Sequence, residues 1–220
     1  MESSGVASPG RCCLIRLRRA ACRMLSLRVK RLLRPLLVAL AAAPAFAQSP
    51  SAPLRGSGDP FRKGSVGAEI GASPMIEIWN INEEHEQVIE GTAAFWGAIR
   101  DRIAIGIEFH HAWVIQEATG AFVQGVSPMV RIKRTDRPGW NWYADTGPGV
   151  SWSDLTTPVR GTKFNYLFQA GTGFMKRVGT NSHVLIAYRF FHLSNNVREG
   201  RDHDPDLEMM GGYVGWAFSF

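Results

Sequence analysis

From Ser65 to Phe220 the apolar residues of this chain recur at period 2 rather than 3.6, and they do so in long runs. Eight such segments stand out, at about 65–73, 87–99, 102–115, 121–134, 139–152, 163–177, 182–194 and 207–220, with no convincing amphipathic helix between them. Most exceed the five or six residues usual for a strand in a soluble sheet. A tilted strand needs roughly 9–11 residues to cross a bilayer, so these lengths suit a membrane barrel.

The alternation separates two unlike faces. In the third segment Ile103, Ile105, Ile107 and Phe109 oppose Ala104, Gly106, Glu108 and His110. In the sixth, Phe164, Tyr166, Phe168 and Phe174 oppose Asn165, Gln169, Gly171 and Gly173. The fifth sets Trp140, Trp142, Val150 and Trp152 against Asn141, Tyr143, Asp145 and Ser151, and the second sets Ile89, Phe95 and Ile99 against Glu90, Thr92 and Arg100. A soluble sandwich would turn the bulky face inward and carry Lys and Glu on the other. Here the second face is small and only intermittently charged, which suits the crowded lumen of a narrow barrel. Glu69, Glu90, Glu108, Asp145, Arg131, Arg189 and Gln169 can pair across such a lumen. Closure also removes sheet edges, whose backbone groups would go unpaired in lipid. Trp and Tyr near strand ends fit interfacial girdles. The last residues, Gly215-Trp-Ala-Phe218-Ser-Phe220, place aromatics at every second position, like the terminal signal of bacterial outer-membrane barrels. The fold expected is all-β, an eight-stranded antiparallel transmembrane β-barrel.

Charge points elsewhere until it is divided. The formal net charge is +6, with 25 basic and 19 acidic residues. Residues 1–47 hold nine of the basic residues and one acidic, so the rest carries 25 − 9 = 16 against 19 − 1 = 18. That is −2, about neutral, and a nucleic-acid partner is excluded. The basicity belongs to a leader with the zones of a secretory signal. Arg28, Lys30, Arg31 and Arg34 are followed by the apolar run Leu36 to Ala43 and by Ala45-Phe46-Ala47, with cleavage expected after Ala47. The run is far shorter than the roughly 20 residues of a spanning helix. Residues 1–23 read as a mis-assigned upstream start, with Met24 the true one. All three cysteines (Cys12, Cys13, Cys22) precede Met24, which excludes a disulfide framework or a Cys-ligated metal from the mature chain. Residues 48–63, rich in Ser, Pro and Gly, read as a flexible lead-in, and 64–220 as the barrel.

With eight strands and both termini periplasmic, the connection between the last two is extracellular, roughly Asn195 to Asp206. Parity puts Val184, Ile186, Tyr188, Phe190, His192 and Ser194 on one face of the seventh strand, and Glu208, Met210, Val214, Trp216 and Phe218 on one face of the eighth. Both are aromatic, lipid-facing faces. His192, Ser194 and Glu208 therefore point outward near the outer-leaflet rim. A lipid-facing charge costs about 2–4 kcal/mol at mid-depth for a base, less for an acid or near the interface. A His–Glu pair reduces that cost. An i, i+2 spacing puts His192 and Ser194 about 6.5 Å apart along the strand, on one face. In a serine hydrolase His192 would take the proton of Ser194, Glu208 would stabilise the imidazolium, and amides at the loop start, Asn195 first, could hold the oxyanion.

His192-Leu-Ser194-Asn195, preceded by Tyr188-Arg189 and followed by a Pro-containing loop and Leu207-Glu208, resembles the lipid A 3-O-deacylase (PagL-type) family, and the resemblance extends over most of the mature chain. It implies an outer-membrane enzyme that hydrolyses the ester-linked 3-hydroxyacyl chain at position 3 of lipid A. It implies Ser194 as nucleophile, His192 as base, Glu208 as the orienting acid and Asn195 in the oxyanion hole, with no cofactor and no metal. Lipid A, or lipopolysaccharide in the outer leaflet, is the partner implied, with a homodimer left open. Family members continue Asn-Ala-Gly after the serine; this chain has Asn195-Asn196-Val197, then the charged loop Arg198 to Pro205. Glu199, Asp202, Asp204 and Asp206 compete with Glu208 for the role of the acid.

Glu108-Phe-His110-His111 is the other cluster with metal-ligand chemistry, but strand parity sends the two histidines to opposite faces. Arg198 and Arg201 could meet lipid A phosphates or simply be solvated. Two other readings remain open: a non-enzymatic structural or adhesive barrel, and a lipid A acyltransferase, which would need a lumenal hydrocarbon pocket.

Overall fold

Eight antiparallel strands pair in sequence order and the first closes on the last, so the sheet has no edge. The computed structural model describes residues 61–79, 86–116, 119–134, 139–196, 200 and 205–220; the expected export signal and most of the lead-in lie outside them. The strands are β1 (Val66–Glu77), β2 (Gln87–Arg100), β3 (Ile103–Ile115), β4 (Gly120–Lys133), β5 (Trp140–Thr157), β6 (Thr162–Arg177), β7 (Ser182–Ser194) and β8 (Leu207–Ser219). Val66 and Ser219 lie at the end that carries the short turns between β2 and β3 and between β6 and β7. In outer-membrane barrels that is the periplasmic end.

Two strands outrun the alternation. β1 continues past 73 to Glu77, through Pro74. Proline brings no donor to a ladder and normally marks a strand end. Here the ladder to β8 lapses between Ala72↔Val214 and Met75↔Gly211, and the Ser73 hydroxyl donates to the Gly212 carbonyl at 2.8 Å across the lapse. β5 continues past 152 to Thr157 with a register shift between Trp152 and Thr157. Its polar extension is held by Ser153 Oγ donating to the Lys163 carbonyl and by Asp154 accepting the Phe122 N–H. A further lapse, between Val126↔Val150 and Val130↔Thr146, is where Pro128 and Pro148 face each other, neither bringing a donor to the ladder.

The two faces sort as the alternation implies. Phe95, Ile107, Phe174, Ile186 and Val214 are exposed on the lipid side, whereas Glu69, Glu90, Glu108, Arg131, Asp145 and Arg189 are buried in the lumen. Arg100 is the exception: expected inward, it is exposed, because a register shift between Ala98 and Arg100 breaks parity at the end of β2.

The lumen is also less uniformly polar than the sequence implies. A charged belt lies between two apolar clusters. One gathers Phe61, Trp96, Met129, Tyr143, Leu185 and Tyr213; the other gathers Val114, Leu167, Phe191, Leu193, Leu207 and Met209. Phe61 comes from the last residues of the expected lead-in, yet it is buried and stacks on Trp96 at 6.1 Å. Within the belt Arg131 pairs with Glu69 and with Asp145 (2.7 Å), and Arg189 pairs with Glu108 (2.7 Å). Gln169 donates to Glu108, Tyr213 donates to Glu69, and His110 lies between Glu90 and Ser127. Tyr213 fits because Gly71 has no side chain: a Cβ there would lie 2.1 Å from the phenol oxygen. These pairings occupy the lumen, and the outer face of β7 and β8 carries His192, Ser194 and Glu208.

Candidate functional site

The site is a small lattice set by strand register. On the outward face His192 of β7 lies between Phe168 of β6 and Glu208 of β8. One row nearer the extracellular end, Ser194 lies beside Tyr166. One row deeper, Phe190 lies between Ala170 and Met210. Because side chains two apart share a face, this register alone makes His192, Ser194 and Glu208 neighbours on the lipid side.

His192 Nδ1 is 3.6 Å from Glu208 Oε1, and both side chains are about a quarter or less exposed (25% and 20%). That separation is an ion-pair distance and is longer than a hydrogen bond. Catalytic contacts in unliganded enzymes are often this loose and tighten when substrate binds. Nδ1 is the ring nitrogen that faces the carboxylate. The imidazole is also held by Phe190, whose ring is parallel to it within 10° at 6.4 Å.

At the end of β7 the chain turns sharply. Asn196 has φ of +57° and its N–H donates to Ser194 Oγ at 3.0 Å. Asn is the side chain other than glycine that best tolerates this left-handed conformation. Asn196 stands where the family's Asn-Ala-Gly has alanine, and the glycine's position, Val197, lies outside the described residues. Asn195, the residue singled out for the oxyanion, is buried, and the amide aimed at the serine oxygen is that of the next residue. Sequence reasoning missed Asn196 because strand parity carries no information about φ; a second Asn straight after the strand is the signal that was present.

Below the site the lipid face is hollowed. Ala144, Thr146, Ala170 and Thr172 form a low floor between Val130 on one side and Phe190 on the other, in a shallow, open groove of about 470 Å³. The hollow arises because β5 and β6 carry small outward residues where their neighbours carry large ones. Phe190 and Met210 border it, and both sit one row below the His192–Glu208 pair.

Of the competing acids, Asp206 is partly buried just before β8, one row above Glu208, while Glu199, Asp202 and Asp204 lie outside the described residues, as do Arg198 and Arg201. His110 and His111 part as parity requires: the first enters the lumen network and the second stacks on Phe122 outside. His183 is buried at the periplasmic end.

A family model described as lipid A 3-O-deacylase (PagL) matches residues 94–217, more than half of the chain. No curated protein matches it in sequence. Among solved structures, Neisserial surface protein A aligns at a TM-score of 0.54 and 10% identity, covering 71% of this chain and 96% of that one. The outer membrane enzyme PagL aligns at 0.42 and 14% identity (70% and 98% covered), and OprG from Pseudomonas aeruginosa at 0.46 and 9% (73% and 98%). The fold is that of an outer-membrane barrel, and the outer membrane is where the chain resides.

Proposed function

Because the chain belongs to the lipid A 3-O-deacylase (PagL) family, we propose that it is a serine esterase of the outer membrane that releases the 3-hydroxyacyl chain ester-linked at position 3 of lipid A. The observation that carries this reading is the register pairing of His192 with Glu208 on the lipid-facing side, with Ser194 on the same face two residues on. An enzyme whose substrate is a lipid of the outer leaflet needs its nucleophile outside the barrel, near the extracellular rim.

Ser194 Oγ attacks the ester carbonyl as His192 takes its proton, and Glu208 stabilises the imidazolium. The charge that develops on the carbonyl oxygen is received by main-chain N–H groups at the strand end, those of Asn196 and Asn195 being nearest in the chain. Collapse expels the sugar oxygen, which takes the proton back from His192. Water, activated by the same imidazole, then cleaves the acyl-enzyme and frees the 3-hydroxy fatty acid. The acyl chain lies in the hollow over Ala170 and Thr172, where its methylenes replace looser lipid contacts beside Phe190. One chain carries all three groups, so the chemistry needs no second copy.

The test is mass spectrometry of lipid A from cells that express the protein in the outer membrane. The wild type removes one hydroxyacyl mass; Ser194→Ala and His192→Ala variants, folded and inserted, leave lipid A intact. Unchanged lipid A with the wild type would refute the reading.

A further inference from the structure

The periplasmic end carries a cationic patch that the deacylase reading does not use. Main-chain hydrogen bonds gather it. The Arg102 N–H donates to the Phe61 carbonyl, the Lys133 N–H to the Arg102 carbonyl and the Gly64 N–H to the Ala98 carbonyl, each at 2.9 Å. The Lys63 N–H donates to the Asp101 carboxylate, also at 2.9 Å. The segment before β1, the β2–β3 turn and the end of β4 are thereby fixed side by side. Together they bring Arg62, Lys63, Arg100, Arg102, Lys133 and Arg134 around a single described acidic side chain, that of Asp101. Lys133 is buried under the patch, its ammonium 5.7 Å from the Phe61 ring, and the other five cations are exposed.

The height of this patch identifies its ligand. The lipid-facing apolar band ends at Ile99 on β2, Ile132 on β4 and Val66 on β1, all exposed on the outer wall. Arg100 follows Ile99 directly, Arg134 stands two residues past Ile132, and Lys63 three before Val66. On the next face of the rim Lys176 lies over the Trp140 ring at 5.7 Å, an aromatic and a cation side by side at the same level. Cations that begin where hydrocarbon contact stops sit at the level of lipid phosphates, and aromatic rings mark the same interface. The opposite end lacks this asymmetry: its described charged residues mix Arg160 and Lys163 with Glu77, Glu86, Asp154 and Asp206.

We propose that the rim formed by Arg62, Lys63, Arg100, Arg102 and Arg134 is a binding site for the phosphate groups of anionic phospholipids in the inner leaflet. Bound there, such lipids seat the barrel at a fixed depth and hold the opposite rim level with the outer leaflet.

Native mass spectrometry of the detergent-purified full barrel, titrated with phosphatidylglycerol or phosphatidylcholine of the same acyl chains, reads this directly. The wild type retains the anionic lipid roughly tenfold better. Arg100→Gln/Arg102→Gln/Arg134→Gln loses that preference, Arg100→Lys/Arg102→Lys/Arg134→Lys keeps it, and Arg160→Gln/Lys163→Gln at the other end leaves it unchanged. Heat-modifiable migration on a gel confirms that each variant is a folded barrel. Equal retention of the two lipids by the wild type, or an undiminished preference in the triple Gln variant, would overturn the proposal. So would displacement of phosphatidylglycerol by equimolar free glycerol phosphate, which would assign the patch to soluble anions. Loss of the preference in the triple Lys variant would also count against it, since the charge is kept.

Discussion

Glu208 lies on β8 as the register partner of His192, whereas Asp206 precedes the strand and stands outside its register with β7. Position therefore chooses between two chemically equal carboxylates. If Glu208 stabilises the imidazolium, Glu208→Gln lowers kcat for lipid A deacylation by about 10⁴-fold, the size of effect seen when the acid of such a triad is neutralised. Asp206→Asn stays within a few-fold of wild type. A time course of released 3-hydroxy fatty acid checks both, and the reverse order would move the acid to Asp206. The nearness of His192, Ser194 and Glu208 was legible in the sequence because three residues on two strands obey one parity rule. The turn after Ser194 was not. Its geometry depends on the backbone at Asn196, whose φ of +57° and N–H bond to Ser194 Oγ strand parity does not predict.

At the scale of the strand, what mattered was where large and small residues fall on the lipid face. On its outer face β6 follows Tyr166 and Phe168 with Ala170 and Thr172, so its surface steps down just below the candidate site. Filling that step without touching the polar residues separates acyl-chain accommodation from chemistry. Ala170→Leu adds three carbons to the floor of this open groove of about 470 Å³. It lowers kcat/KM for esters with long acyl chains by roughly tenfold, since each excluded methylene is worth about 0.8 kcal/mol. It leaves short-chain p-nitrophenyl esters unaffected. Equal losses on both would show that the hollow does not receive the chain. Strand existence and facing were readable from period 2. The ends of β1 and β5 were not, because Pro74 and the polar Ser153-Asp154 read as stops. The structure continues through both by substituting side-chain hydrogen bonds, from Ser73 to Gly212 and from Phe122 to Asp154, for the regular ladder.

For the molecule as a whole, stability is concentrated in the lumen, since the outer face exchanges lipid for lipid. The charged belt was foreseeable as a set of residues, but its wiring was not, because pairing across a barrel depends on strand stagger rather than on sequence spacing. Arg131 is the most connected member. It joins β4 to Glu69 of β1 and to Asp145 of β5, and its guanidinium lies 4.9 Å from the Tyr143 ring. Arg189 repeats the pattern with Glu108, 4.1 Å from the Tyr213 ring, and the Tyr213 hydroxyl donates to Glu69 at 2.7 Å. Tyr213 thus couples the two arginines. Removing one partner of a buried ion pair strands the other, at about 3–5 kcal/mol. Arg131→Ala therefore destabilises the barrel by that amount in urea unfolding from lipid vesicles, and Arg131→Met with Glu69→Gln and Asp145→Asn recovers most of the loss because no charge is left unpaired. Arg131→Ala and Arg189→Ala combined depart from additivity by about 0.5–3 kcal/mol, since they share Tyr213 and the carboxylates around it. Additive losses would mean that the belt is two independent pairs and that the tyrosine between them transmits nothing.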